Sequence, residues 1–201
     1  MSIKTDGAQN NVKSVLIVGV GGQGTLLASR LLGGAMVRAG YDVKVSEVHG
    51  MSQRGGSVVT YVRYGDKVYS PIIEQGGADT VLAFEQLEAA RFLPWLKPQG
   101  TMIVNTQQID PMPVITGNAA YPDGLLEQME GKGVHVVAAD ALALAEQAGS
   151  SKAVNVVLIG LMARRLELSY EEWIDTIRET VPPKFIDMNI KAFDLGYHYG
   201  A

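Results

Sequence analysis

The sequence predicts an α/β domain of Rossmann-like type: a mostly parallel sheet carrying a β-hairpin insertion, followed by a helical C-terminal third. Three observations carry that expectation. The apolar run Val15–Val18 enters a G-x-G-x-x-G turn (Gly19, Gly21, Gly24) and then a helix-forming stretch, the opening of a nucleotide-binding α/β unit. Short β-branched runs then alternate with helical patterns as far as Ala148. From Lys152 onward the apolar spacing is helical. With 201 residues, 47% of them hydrophobic, the chain has material for one core, and a single domain over 1–201 is expected.

The elements follow in order. Residues 1–12 are polar and read as a mobile lead-in. Val15–Val18, apolar on both faces, suits a central parallel strand. A helix is expected from Thr25 to Ala39, with Leu27, Leu31, Ala35 and Met36 on one stripe and Gly40 ending it. Asp42–Val48 alternates as a second strand, and the glycines of Gly50–Gly56 make a loop. Ser57–Tyr64 and Lys67–Ile73 look like the arms of the hairpin, turned at Gly65-Asp66. Ala78–Phe84 is a strand, Gln86–Leu93 a helix and Thr101–Asn105 a strand. The Pro-, Gly- and Asn-rich stretch 106–124 has no regular pattern. Val134–Ala138 is a short strand and Ala141–Ala148 a helix. Lys152–Leu166 is an apolar helix; Ser169-Tyr-Glu-Glu172 is a capping box opening a helix through Glu179. Pro182-Pro183 breaks it, and Pro183 suits the first turn of a last helix through Tyr197.

Composition excludes several functions. The net charge of −4, with acid and base mixed along the chain, is unlike the basic footprint that nucleic acid needs. No apolar stretch reaches the roughly 18–20 residues of a membrane span, and Met1–Lys13 lacks the apolar core of a secretory signal. A cytoplasmic protein is expected. There is no cysteine, so no thiolate-bound iron–sulfur cluster, Cys-zinc site or Cys nucleophile belongs to this chain. The three histidines, His49, His135 and His198, have no metal-ligand spacing, so no metal site is expected. No Ser-His-Asp order, paired catalytic carboxylates or P-loop is present, and no catalytic residue is assigned.

Two segments carry chemistry. In Gly19-Val-Gly21-Gly22-Gln23-Gly24, Gly19 permits the tight turn, Gly21 lets the backbone approach a phosphate and Gly24 allows close helix packing. The helix start then offers N–H groups and a positive dipole to an anion. A purely structural tight turn is the alternative. Glu47, near the end of the second strand, stands where a NAD site wants its acid, roughly 20 residues on; as a surface carboxylate it would instead partner Arg54. Gln53-Arg54-Gly55-Gly56 presents a planar guanidinium and exposed backbone N–H groups to a phosphate or carboxylate. The candidate cofactor-binding set is therefore Gly19, Gly21, Gly22, Gln23, Gly24, Glu47, Gln53, Arg54, Gly55 and Gly56.

Gly19–Gly24 after a strand, and then Glu47-Val-His-Gly-Met-Ser-Gln-Arg-Gly-Gly56, resemble the gamma-type domain of the 2-oxoacid:ferredoxin oxidoreductases. Asn155-x4-Gly160 and Asn189-x3-Phe193-x2-Gly196 resemble the same family's C-terminal signature, so the likeness runs from Ser14 to Gly196. The pattern is most similar to the small subunits of its indolepyruvate-type members. The resemblance implies oxidative decarboxylation of a 2-oxoacid to an acyl-CoA and CO2 with reduction of ferredoxin, by a complex in which this chain is inactive alone. Thiamine diphosphate and four-iron–four-sulfur clusters are then expected on a large partner subunit, in a heterodimer or heterotetramer that ferredoxin meets as a whole. Coenzyme A is the co-substrate, and no cofactor is held by this chain alone. The alternatives are a stand-alone NAD(P)-dependent oxidoreductase and a non-catalytic nucleotide-sensing or scaffolding module.

Overall fold

The computed structural model describes residues 11–49 and 56–200; the lead-in 1–10 and the segment 50–55, with Gln53, Arg54 and Gly55, lie outside the described residues. Six strands form one sheet: β1 (Lys13–Val20), β2 (Asp42–His49), β3 (Ser57–Gly65), β4 (Ala78–Ala83), β5 (Leu96–Asn105) and β6 (His135–Ala139), in the order β2-β3-β1-β4-β5-β6. β1, β4, β5 and β6 pair in parallel, and β3 alone runs antiparallel, between β1 and β2. The helices are α1 (Thr25–Arg38), α2 (Gln86–Phe92), α3 (Met112–Ile115), α4 (Leu125–Gly131), α5 (Ala141–Ala148), α6 (Val154–Ala163), α7 (Tyr170–Thr180) and α8 (Ile186–Tyr197). The expected Rossmann-like, mostly parallel sheet and helical C-terminal third are present.

The hairpin lies elsewhere than expected. Its arms are β2 and β3, in register from Asp42 opposite Gly65 to His49 opposite Val58, and not the two segments on either side of Gly65-Asp66. Lys67–Ile73 forms no strand. The reason is that β3 already spends one edge on β1 and the other on β2, which leaves no ladder for a further arm. Side chains hold the segment instead: an Arg63 guanidinium nitrogen donates to the carbonyls of Ser70 and Ile72 at 3.0 and 3.2 Å, and the Val68 N–H donates to Asp42 at 2.9 Å.

Both faces of β1 are buried, with Val15 to Val18 at 1% exposure or less. Val15 and Ile17 point into a core shared with α1, α5, α6, α7 and α8; Leu16 and Val18 point to a second core under α2 and α4. All ten residues of α6 are buried, as its apolar character all round requires. The Ser169–Glu172 capping box opens α7 as expected. The last helix starts later than Pro183, which lies in a 3-10 turn ahead of Ile186. In the stretch 106–124, buried Glu85 organises the chain: it caps α2 through the Glu88 N–H, accepts from the Ile109 N–H at 3.1 Å and takes the Tyr121 hydroxyl.

Three tyrosines are thereby kept neutral. Burial, with carboxylates nearby, raises Tyr64 and Tyr170 to about 12 and Tyr121 further. A group raised in this way stabilises the fold fully below the unfolded value near 10, and that stabilisation is lost as pH rises through the folded value. An absorbance titration of the folded chain is therefore expected to show no more than five of the eight tyrosines ionised at about pH 11. A single transition of all eight near pH 10, with the fold intact, would contradict these environments.

Candidate functional site

Parallel strands bring their C-terminal ends to one edge, and the turn between β1 and α1 stands there, beside the ends of β4 and β5. Gln23 shapes it. Its Oε1 accepts the Val20 N–H at 2.7 Å, and its Nε2 donates to the Phe84 carbonyl at 3.0 Å and lies 3.4 Å from Gln107 Oε1. The side chain thus folds back into the crevice between the ends of β1 and β4. Gly19 makes room for it, since a Cβ there would lie 2.9 Å from both Gln23 Oε1 and Phe84 Cβ.

Gly21, expected to let a phosphate approach, donates its N–H to the Gly56 carbonyl at 2.9 Å. That N–H is therefore engaged by the residue just ahead of the inserted strand β3 and not open to a pyrophosphate. The inserted strand places β2, and with it Glu47, one strand spacing (about 4.8 Å) further from the turn than in a sheet where β2 adjoins β1. Gly24 opens α1 with φ +87°, left-handed backbone that favours glycine. It also lets α6 come close: Asn155 Nδ2 donates to the Gly24 carbonyl at 3.2 Å, and a Cβ at Gly24 would stand 2.6 Å from that nitrogen.

The backbone N–H groups of Gly22, Gly24, Thr25 and Leu26 meet no acceptor among the described residues. The turn is a ridge between two grooves. One, of ≈ 400 Å³, runs towards β2 and β3 and is lined by Gly21, Gly22, Leu26, Glu47 and Val58. There the Glu47 carboxylate accepts from the Thr60 hydroxyl at 3.3 Å. The other, of ≈ 390 Å³, is lined by Gly22, Gly24, Gln107, Ser151 and Lys152 and contains no carboxylate. Its one charged side chain is Lys152, which is in no ion pair among the described residues. This second groove suits a phosphate.

The structure therefore gathers Gly21, Gly22, Gly24 and Glu47 around one turn, sends Gln23 inward and ties Gly56 to Gly21; Gln53, Arg54 and Gly55 fall outside the described residues. Sequence reasoning missed Gln107 and Lys152. The only local sign was the polar break Gly149-Ser-Ser-Lys152 between two apolar helices. Among the described residues no group of three or more His, Asp or Glu is placed to hold a metal ion.

Comparison with known proteins agrees with this architecture. Residues 14–199 match the family model of pyruvate ferredoxin/flavodoxin oxidoreductase. The chain is 47% identical over 190 residues to the indolepyruvate oxidoreductase subunit IorB of Thermococcus kodakarensis, covering 91% of this chain and 93% of that protein. Its fold is similar to that of a keto/oxoacid ferredoxin oxidoreductase gamma subunit from Geobacter sulfurreducens, with TM-score 0.69 and 23% identity over 92% of this chain and 96% of that one. It is also similar to part of the 2-oxoglutarate:ferredoxin oxidoreductase from Magnetococcus marinus solved with 2-oxoglutarate, coenzyme A and succinyl-CoA bound. There the TM-score is 0.71 and the identity 19%, over 92% of this chain and 30% of that one.

Proposed function

The chain belongs to the pyruvate ferredoxin/flavodoxin oxidoreductase family, and from that membership we infer that it is the small, non-thiamine subunit of a cytoplasmic indolepyruvate-type 2-oxoacid:ferredoxin oxidoreductase. The observation that carries this is 47% identity across nine-tenths of a protein named an indolepyruvate oxidoreductase subunit. The partner is a large subunit bearing thiamine diphosphate and iron–sulfur clusters, which supply the electron sink for decarboxylation and the route to ferredoxin. A chain with no cysteine and no assigned catalytic residue fits a supporting role.

That role is to hold coenzyme A. The groove suits its phosphates: Gly22, Gly24, Gln107 and Lys152, each carrying an N–H donor, line one space with no competing carboxylate. Ordering the phosphates fixes the far end of the co-substrate, so that its thiol end is delivered to the partner with less entropy to lose. The reduction of a soluble nicotinamide cofactor is disfavoured by the same geometry, because Gly21 is committed to Gly56.

Co-expression with the large subunit tests the proposal, assaying CoA- and ferredoxin-dependent oxidation of indolepyruvate. Lys152→Gln is expected to raise the apparent KM for CoA about tenfold while leaving that for the oxoacid unchanged. An unchanged KM for CoA removes Lys152 from the site. A chain that assembles with no thiamine-dependent partner, or that turns over NAD alone, overturns the subunit role itself.

A further inference from the structure

A second pocket lies at the opposite edge of the sheet, roughly 25 Å away along the eight residues of β1. Its volume is ≈ 230 Å³, room for about eight waters at roughly 30 Å³ each, or for one small organic molecule. Met36, Tyr41 and Leu166 give it apolar walls. Tyr64 lines it too, its ring edge-on to Tyr41 with centroids 5.6 Å apart.

Tyr64 is the unusual feature. The residue is only 7% exposed, yet its hydroxyl has no hydrogen-bond partner among the described residues. The hydroxyl is not itself enclosed but opens on the space of the pocket, where it can donate to whatever fills it. Burial, and after it the nearby charges of Asp79 and Glu167, keep the group a neutral phenol, a hydrogen-bond donor at physiological pH.

The charges on the rim say what kind of acceptor is missing. Asp79 is already engaged, accepting the Ser14 N–H and the Lys97 ammonium at 2.8 Å each. Lys13, Arg165 and Glu167 also line the pocket, and none is in an ion pair among the described residues. Arg165 donates once, to the Leu161 carbonyl at 2.8 Å, which leaves the rest of its planar fork open. Burial and the neighbouring Arg164 both work against its charge, so an anion beside it would be welcome. Two uncommitted cations against one uncommitted carboxylate leave the rim short of a negative charge.

We propose that this pocket binds a small aromatic carboxylate, its ring against Tyr41, Met36 and Leu166 and its carboxylate between the Tyr64 hydroxyl and the Arg165 guanidinium. Aromatic acids with and without an α-ammonium share this chemistry, and Glu167 is the group that would tell them apart.

The test is calorimetric and ligand-observed NMR titration of the full chain with 3-phenylpropionate, L-phenylalanine and phenethylamine. Binding of either acid is expected, about fivefold weaker in Tyr64→Phe and at least about tenfold weaker in Arg165→Gln. Tyr64→Phe keeps the ring and so keeps the pocket walls. Tighter binding of L-phenylalanine than of 3-phenylpropionate, lost in Glu167→Gln, assigns the amino-acid form; the reverse order assigns the plain acid. The proposal is overturned if neither acid binds, if phenethylamine binds as tightly as the acids, or if binding appears only after residues 1–10 are removed, which would make the pocket a seat for the chain's own lead-in. None of these results bears on the CoA groove, so failure here leaves the subunit role standing.

Discussion

Gly196→Val is expected to destabilise the protein by at least about 3 kcal/mol, lowering Tm by roughly 6–12 °C for a chain of this size. Two glycines meet where α6 crosses α8. A Cβ on Gly196 would lie 2.9 Å from the Val157 carbonyl carbon and closer still to its oxygen; one on Gly160 would lie 2.8 Å from the Tyr197 nitrogen and closer still to the Phe193 oxygen. These neighbours are backbone, so no side-chain rotation relieves the clash and the helices must separate. Separation also withdraws Phe193, fully buried and stacked on Trp173 and Tyr197 with centroids 6.0 and 5.5 Å away. Gly160→Ala should cost nearly as much, because even one methyl group has no room. Gly131, at the end of α4 with open space around it, is the control: Gly131→Ala is expected to be neutral or stabilising by about 0.5–1 kcal/mol. Thermal unfolding of the three variants decides the matter. A Gly160→Ala protein that melts with the wild type would mean that the helices do not approach so closely.

The same glycines show what the sequence could and could not convey. Asn155, Gly160, Asn189, Phe193 and Gly196 stand out in the sequence only by resemblance, because nothing in local spacing says that two helices 30-odd residues apart will touch backbone to backbone. The structure supplies the reason: Gly160 and Gly196 clear the crossing, Phe193 fills the space beside it, Asn155 bonds the Gly24 carbonyl, and Asn189 bonds the Phe185 carbonyl at 2.8 Å. Elements with strong local determinants were legible: β1 from its apolar run, and α7 from a capping box whose two hydrogen bonds both form. The hairpin was misplaced because strand pairing is non-local. Gly65-Asp66 has good turn chemistry, but β3 had no free edge beyond it. The donor-lined groove was illegible for the same kind of reason. Gln107 leaves β5 and Lys152 precedes α6, and only the closed sheet carries both to the turn at Gly22.

Gln23→Glu should be the most damaging change at the turn itself. The carboxylate keeps an oxygen for the Val20 N–H, but it presents a second oxygen where Nε2 now donates to the Phe84 carbonyl and approaches Gln107 Oε1. Acceptor then faces acceptor in a partly buried crevice, which costs about 1–3 kcal/mol for the lost donor before any charge is counted. The strain is relieved only by pushing Gln23 outward, and that displaces Gly22 and Gly24 from the groove that they share with Lys152. A lowered Tm together with a rise of at least about tenfold in the KM for CoA of the assembled enzyme is therefore expected. Gln107→Ala separates the two effects, because it removes a groove donor while leaving the Gln23 bonds to Val20 and Phe84 intact; it should raise the KM for CoA with little change in Tm. If Gln23→Glu melted normally and kept its CoA dependence, the brace would be incidental, and the groove would owe its shape to Gly24 and Asn155 alone.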